Sequence, residues 1–342
     1  MKSVDRNRAP TLRDVARLAE IAPITASRIL NGNPSGTPIA EETRKRVERI
    51  AGELGYKPHA SARAMRQQRT RQIGVVLAND PDHPLTNLPA YEYILGLNAG
   101  LEPLGLILSL VRRTEVDGHL DRLRAFEEQM FDAFVVISHL GKADTTRLLA
   151  GRVPTVWLDT NHNGKTGCLR RDEVAAGRAG AELLIARGRK RVVWLQRQDA
   201  EQVHYSHFDR EAGARAACHE ADVTFSAHQL GPYFGIDEAA SAELVRELAN
   251  PEVGLLAGDP QLTRWALYRL ARAGLVPGRD VGLATCDSDH AINGIWHGLS
   301  RVAVDRASLG RQAAEFVASA LADGVMPASI SIISQIIPGE TA

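Results

Sequence analysis

Residues 11–32 read TLRDVARLAEIAPITASRILNG, and beyond a Pro- and Gly-bearing loop residues 41–66 read EETRKRVERIAGELGYKPHASARAMR. Leu12, Val15, Ala16 and Ala19 have the i, i+3, i+4, i+7 spacing of one helical face, and Val47, Ile50, Ala51 and Leu54 repeat it. Thr11 with Asp14 reads as a capping box that starts the first helix, and Gly55 sits where the last helix wants its C-cap. Between them Pro23 suits a first helical position, and Ala26, Ile29 and Leu30 can face inward. Ile24, Thr25, Ser27, Arg28 and Asn31 are left for the outer surface. A short helix after a tight turn is helix-turn-helix organisation, whose second helix enters the DNA major groove. Arg28 can donate two bonds to a guanine edge, Asn31 can do so for adenine or hold a phosphate, and Thr25 and Ser27 can reach the DNA backbone.

Charge points the same way. The chain of 342 residues has a net charge of zero, but residues 1–72 hold 15 Lys and Arg against 7 Asp and Glu, and the remainder holds 26 against 34. A small basic module joined to a large acidic one predicts a nucleic-acid partner at one end and a different partner at the other.

The two quoted strings resemble the headpiece of the LacI/GalR family of bacterial transcriptional repressors along nearly their whole length. The resemblance implies DNA contacts from Thr11, Arg13, Pro23, Ile24, Thr25, Ser27, Arg28, Asn31 and Tyr56. Four features depart from the family pattern. Glu20 stands at the turn Gly, Ala22 and Ala40 replace Ser caps, and the loop NGNPSGTPI is longer than usual. Each lost cap costs roughly 1 kcal/mol.

From Leu54 to Asn79 there is no Asp or Glu, whereas Lys57, Arg63, Arg66, Arg69 and Arg71 are present. Residues 60–66 carry good helix formers without a wide apolar face, so alone they are too short for a stable helix. The resemblance implies a hinge that becomes helical on the operator, with Met65 as a minor-groove wedge and Arg66 on the phosphates. The plain alternative is a flexible linker.

Beyond Gln72 the apolar runs IGVVLA, LILSLV, FVVIS, TVWLD, RVVWL, VGLLAG and VGLAT alternate with helical stretches. They read as buried parallel strands of two doubly wound lobes with a cleft between them. This part also resembles the LacI/GalR effector domain, more loosely, over residues 72 to about 325. Asp209, Arg210 and Gly213 look like the family's D-R-x-x-G, which implies an Arg210 side chain in the cleft. Asp287, in the string CDS, resembles the strand-end Asp that takes ligand hydroxyls. Asp172, Ser206 and Tyr233 match other pocket positions. The family's N-P-F-F aligns with Asn87 to Ala90 without its aromatic platform, for which Tyr91 and Tyr93 are partial replacements, and Gly258 stands at a frequent Asn. For each of these residues a structural role is the alternative.

The fold expected is therefore an N-terminal all-α helix-turn-helix headpiece plus an α/β two-lobed periplasmic-binding-protein-like effector domain. The boundaries are residues 1–58 for the headpiece, 59–71 for the hinge and 72–342 for ligand binding and dimerisation. The function expected is a DNA-binding regulator, a repressor, that acts as a homodimer on operator DNA and answers a sugar-like small-molecule effector. No apolar run approaches a membrane span and the N-terminus lacks a signal-like apolar region, so a cytoplasmic location is expected. Cys168, Cys218 and Cys286 are widely spaced and read as reduced core thiols. A secreted solute-binding protein is disfavoured by the basic headpiece. An α/β enzyme is disfavoured because G-x-G-x-x-G, G-x-S-x-G, H-E-x-x-H and P-loop strings are missing. No cofactor or metal is expected, His204 and His207 being poor candidates.

Overall fold

The structure, a computed structural model, describes all residues except 1–8, 32–37, 59–63, 65–67, 78–87, 113–129, 139, 198–203, 231–237 and 289. Met65, Arg66, Tyr233 and Asn87 lie outside the described residues. The chain forms two compact units, Met1–Thr70 and Arg71–Ala342.

In the first unit α1 (Leu12–Leu18) opens with a reciprocal capping box. The Thr11 hydroxyl accepts from the Asp14 amide, and the Asp14 carboxylate accepts from the Thr11 amide at 3.0 Å. Helix α2 (Pro23–Leu30) starts on its proline, and α3 (Glu41–Leu54) ends at Gly55 in the left-handed region, φ 66°. Neither Ala22 nor Ala40 gives its helix a side-chain cap. Val15, Ala16, Ala19, Ala26, Ile29, Val47, Ile50 and Ala51 are buried together, so the apolar stripes of the three helices close one small core. Ser27 departs from its expected outward placement and is buried. The turn of the helical path points it inward beside Ala26, and the Asn31 amide donates to both its carbonyl, at 2.6 Å, and its hydroxyl, at 3.2 Å.

The second unit contains two sheets. The first has the order β11-β5-β4-β3-β1-β2, built from β1 (Gln72–Leu77), β2 (Ile107–Arg112), β3 (Ala133–Ile137), β4 (Thr155–Leu158), β5 (Cys168–Arg171) and β11 (Ile330–Ile332). All of its pairs are parallel. The second has the order β12-β10-β9-β8-β6-β7, from β6 (Arg191–Arg197), β7 (Thr224–Leu230), β8 (Val253–Ala257), β9 (Gly282–Thr285), β10 (Ser300–Ala303) and β12 (Gln335–Ile337). Only β12 runs antiparallel, to β10 at the edge. Every apolar run singled out in the sequence lies on a strand; the inner ones are buried because helices flank the sheets, whereas β2, at a sheet edge, leaves Ile107 and Leu110 exposed.

Helices α4 (Leu88–Leu101) and α11 (Arg306–Asp323) pack together, and α11 also packs on β3 and β4. Helices α6 (Glu173–Ile185) and α7 (Tyr205–Glu220) pair in the same way against the second sheet. The remaining helices are α5 (Lys142–Ala150), α8 (Glu238–Leu248), α9 (Pro260–Arg272) and α10 (His290–Ile295). The chain passes from the first lobe to the second after β5, returns after β10 into α11 and β11, and leaves again into β12. These crossings bring strand ends from both lobes to one place. The three cysteines are free and buried. Among the described residues no helix is long and apolar enough to cross a membrane.

Candidate functional site

On the headpiece, Ile24 is 73% exposed at the start of α2, an expensive placement for a large apolar side chain. Pro23, next to it in the chain, and Arg13, on α1, are exposed, and Thr25 and Arg28 are half-buried. Thr11 is half-buried in its capping box, and Tyr56 packs against the three-helix core. Asn31 caps the end of α2 with its amide. The face that remains open is therefore carried by Ile24 and Arg28, with Thr25 between them.

In the larger unit the two positions taken from the family motifs meet. Arg210, on α7, donates from Nη2 to Asp287 Oδ2 at 2.9 Å, just beyond the C-terminal end of β9. They do not form an open pair. The Arg210 guanidinium also grips Glu173 through Nε (2.6 Å) and Nη2 (2.7 Å), and its Nη1 donates to the Gly258 carbonyl at 2.6 Å. A Cβ at position 258 would lie 3.1 Å from the Trp194 ring, a tight contact that would require the indole to give by a few tenths of an ångström. Gly213 serves the same local geometry, because a Cβ there would lie 2.0 Å from the Val174 carbonyl, and the α6–α7 contact that sets Arg210 against Glu173 would open.

Asp287 is a hub. Its Oδ2 accepts from Arg171 Nη1 at 3.0 Å as well as from Arg210, and its Oδ1 accepts from Arg306 and from the Ser288 amide at 2.8 Å. Arg171, at the end of β5, continues to Glu173 at 2.7 Å and to Asp159 at 3.0 Å. Asp159, just after β4, accepts in addition from the Tyr93 hydroxyl (2.8 Å) and the Tyr205 hydroxyl (2.7 Å). Three carboxylates and three guanidiniums, Asp159, Glu173 and Asp287 with Arg171, Arg210 and Arg306, are all buried. Asp159 and Arg171 come from the first lobe and Arg210 and Asp287 from the second, so the network ties the lobes where the chain crosses. Buried charges persist only when paired in this way.

Burial works to raise the Asp287 carboxyl, but Arg306, Arg210 and Arg171 together hold it well below the usual carboxylate range. Burial likewise opposes ionisation of Asp159, and Arg171, with His204 and the two tyrosine hydroxyls, holds that carboxyl low as well. Burial lowers His204, although Asp159 pulls it upward, so its imidazole is neutral at pH 7. Its ring nitrogens lie 2.8 Å from the Ser206 hydroxyl and 2.9 Å from the Asp159 carbonyl.

The other sequence candidates are placed differently. Ser206 is buried on α7 but is engaged by His204 rather than turned to a ligand. Asp172 caps α6, accepting from the Ala175 amide at 2.9 Å, and lines a cavity of about 370 Å³ with Arg170, Asp209, Ser329 and Ser331. Tyr91 is 62% exposed, whereas Tyr93, two residues on, is buried against Asp159. Helical spacing explains the difference, because residues two apart lie on nearly opposite faces. Sequence reasoning missed Asp159, Arg171, Glu173, Arg306 and Tyr205, and it named Tyr93 only as a partial replacement for an aromatic platform. The legible signal was positional, since Asp159 and Arg171 close strand-like runs and Arg306 opens a helix after one. Among the described residues no group of three His, Cys, Asp or Glu side chains is arranged to hold a metal ion.

Comparison with known proteins bears on both units. Residues 11–59 match the family described as bacterial regulatory proteins, lacI family, and residues 181–342 match a periplasmic binding protein-like domain. The HTH-type transcriptional regulator GntR of Pseudomonas aeruginosa is 27% identical over 320 residues, covering 90% of this chain and 88% of that protein. The crystal structure of the Lac repressor dimer bound to operator and the anti-inducer ONPF has a TM-score of 0.79 at 18% identity, covering 98% of this chain and 99% of the other. The structure of a transcriptional regulator CelR–cellobiose complex has a TM-score of 0.66 at 21% identity, covering 97% and 100%.

Proposed function

We propose that the chain, with a lacI-family DNA-binding region ahead of a periplasmic-binding-protein-like domain, is a transcriptional regulator of the LacI/GalR family. It is a repressor that sits as a homodimer on a near-palindromic operator in the cytoplasm and leaves or tightens when a sugar-like effector enters the cleft between the lobes. The observation that carries this reading is the buried ion network around Asp287, which ties both lobes together where a small ligand would have to act. A ligand that binds one arrangement of the lobes better than the other shifts the equilibrium between them.

The headpiece, residues 1–58, reads bases through Arg28 and Ile24 and holds phosphates through Thr11, Arg13, Pro23, Thr25, Asn31 and Tyr56, with Ser27 acting through Asn31. The hinge, residues 59–71, brings Met65 to the minor groove and Arg66 to the phosphates. Residues 72–342 take the effector through Arg210 and Asp287, with Asp172, Ser206, Tyr233 and Tyr91 at its margin. The second copy docks on the first lobe, where α4 and β2 expose Tyr91, Leu95, Ile107 and Leu110. A sugar-like effector is supported by the similar structure of a CelR–cellobiose complex.

The test is selection of duplexes from a random pool by the purified full chain, followed by fluorescence anisotropy on the selected site with and without a panel of sugars and sugar derivatives. A near-palindromic site whose affinity changes with one of these compounds is the expected result. Failure to select any site, or a selected site that answers no small molecule, rejects the reading.

A further inference from the structure

The buried network is saturated on its acceptor side and open on its donor side. Asp287 accepts from three guanidiniums and the Ser288 amide, and Asp159 accepts from Arg171, Tyr93 and Tyr205. Glu173 is taken by Arg210 and Arg171. A ligand hydroxyl that approached Asp287 as a donor would have to displace a guanidinium first. Arg306, by contrast, spends Nη1 on the Ser288 carbonyl at 2.9 Å and Nη2 on Asp287, which leaves Nε with no acceptor although the side chain is 1% exposed. The Ser288 hydroxyl is also buried, at 4% exposure, and has no partner. A buried donor without an acceptor carries a desolvation cost, and these two belong to residues that already touch through Arg306 Nη1 and the Ser288 carbonyl. Both flank Asp287 beyond the C-terminal end of β9, the end at which open α/β sheets take their ligands. A further carboxylate, that of Glu92, lies 3.6 Å from Arg306 Nη1.

We propose that Arg306 Nε and Ser288 Oγ form an oxyanion subsite in the effector cleft, and that the effector is a polyol bearing an anionic oxygen group rather than a neutral sugar. This rests on the reading that the cleft takes a sugar-like effector. A carboxylate or phosphate oxygen accepts from Nε and from the serine hydroxyl at once, a charge-assisted arrangement that a neutral hydroxyl matches only weakly. Arg306 and Ser288 are then specificity-determining residues, because they choose among sugars by the group that fills the donors.

The experiment uses the full chain and a matched panel of neutral hexoses and pentoses, their aldonates and uronates, and their phosphates. Thermal shift ranks the panel, and titration calorimetry gives affinities for the best compound. A carboxylate or a phosphate raising the melting temperature where its parent sugar does not is the expected result, and the two anionic arms tell which oxyanion is used. Ser288→Ala, which breaks no ion pair, should weaken that compound at least 5-fold. Arg306→Lys keeps the charge for Asp287 but loses Nε, and should weaken it at least 10-fold. Neutral sugars binding as well as their acids, with the response at the operator intact, would overturn the subsite and spare the sugar-like effector. A silent panel would overturn both. Unaltered affinity in Ser288→Ala would remove Ser288 and with it the subsite.

Discussion

Glu20 sits at φ 53°, in the left-handed region that an L side chain enters at a cost of roughly 1 kcal/mol, and it is exposed with nothing in the turn that demands a glutamate. Glu20→Gly should therefore stabilise the headpiece by up to about 1 kcal/mol, read as slower amide exchange across α1 and α2; faster exchange would show that glycine's greater freedom in the unfolded chain dominates. Arg28 belongs to the open face of α2, and Arg28→Ala should lose about 1–3 kcal/mol on the selected operator and much less on random duplex. Equal losses on the two duplexes would make Arg28 a phosphate contact instead. Asp287 changes meaning between sequence and structure. Its motif was legible, but two of its partners, Arg171 and Arg306, lie 116 and 19 residues away in the chain, and no local pattern announces a contact at such separations. Asp287→Asn should cost about 3–5 kcal/mol of stability, because it leaves buried guanidiniums without their shared carboxylate. Denaturant unfolding measures this, and a change below 1 kcal/mol would mean the guanidiniums reach water without it.

At the scale of elements, the headpiece was read almost completely because every determinant is local. Thr11 and Asp14 meet within one turn, Gly55 takes its left-handed C-cap, and the stripes of α1 and α3 bury the residues their spacing selects. Ser27 was misplaced because a short polar residue next to an apolar one carries little pattern information. Among the described strands, those with unbroken apolar runs were legible, whereas β5, β7, β10, β11 and β12 were not. Strand β5 ends in two arginines, one of them buried only because the network neutralises it, and β7 lies at a sheet edge with alternating exposure. Such strands are specified by what they pair with, not by their own composition. The two uncapped helices, α2 and α3, carry the element-scale prediction. Ala22 and Ala40 have extended backbone angles in which a serine or aspartate side chain can accept from the following turn, so Ala22→Ser and Ala40→Asp should each add about 1 kcal/mol to the headpiece. Thermal unfolding of the double variant checks this, with an unchanged melting temperature counting against it.

Across the whole effector unit, the ion network makes stability a function of pH, and the direction follows from its individual groups. His204 has its folded pKa depressed by burial below its ordinary value of 6.5, so the unfolded chain takes up that proton first. Its contribution to stability is present above that value and is lost as pH falls through it toward the lower folded value. Asp287 and Asp159 are held below their ordinary 3.8 against the opposing effect of burial, so their contribution is complete above about pH 4 and is lost as pH falls further. Two separate declines are therefore expected, one beginning near pH 6.5 and a steeper one below about pH 4, with no loss between pH 7 and 8 from these groups. His204 is held by Ser206 and the Asp159 carbonyl, so His204→Gln keeps a polar group in place and removes only the titration. Melting temperatures of wild type and His204→Gln measured from pH 8 to pH 3 separate the two declines. The difference between the proteins should appear as pH falls below 6.5 and stop growing once pH is below the depressed folded pKa of His204, because the carboxylates remain in both. Parallel curves would show that His204 is as easily protonated folded as unfolded, and the lobes would then be locked by the arginine–carboxylate network alone.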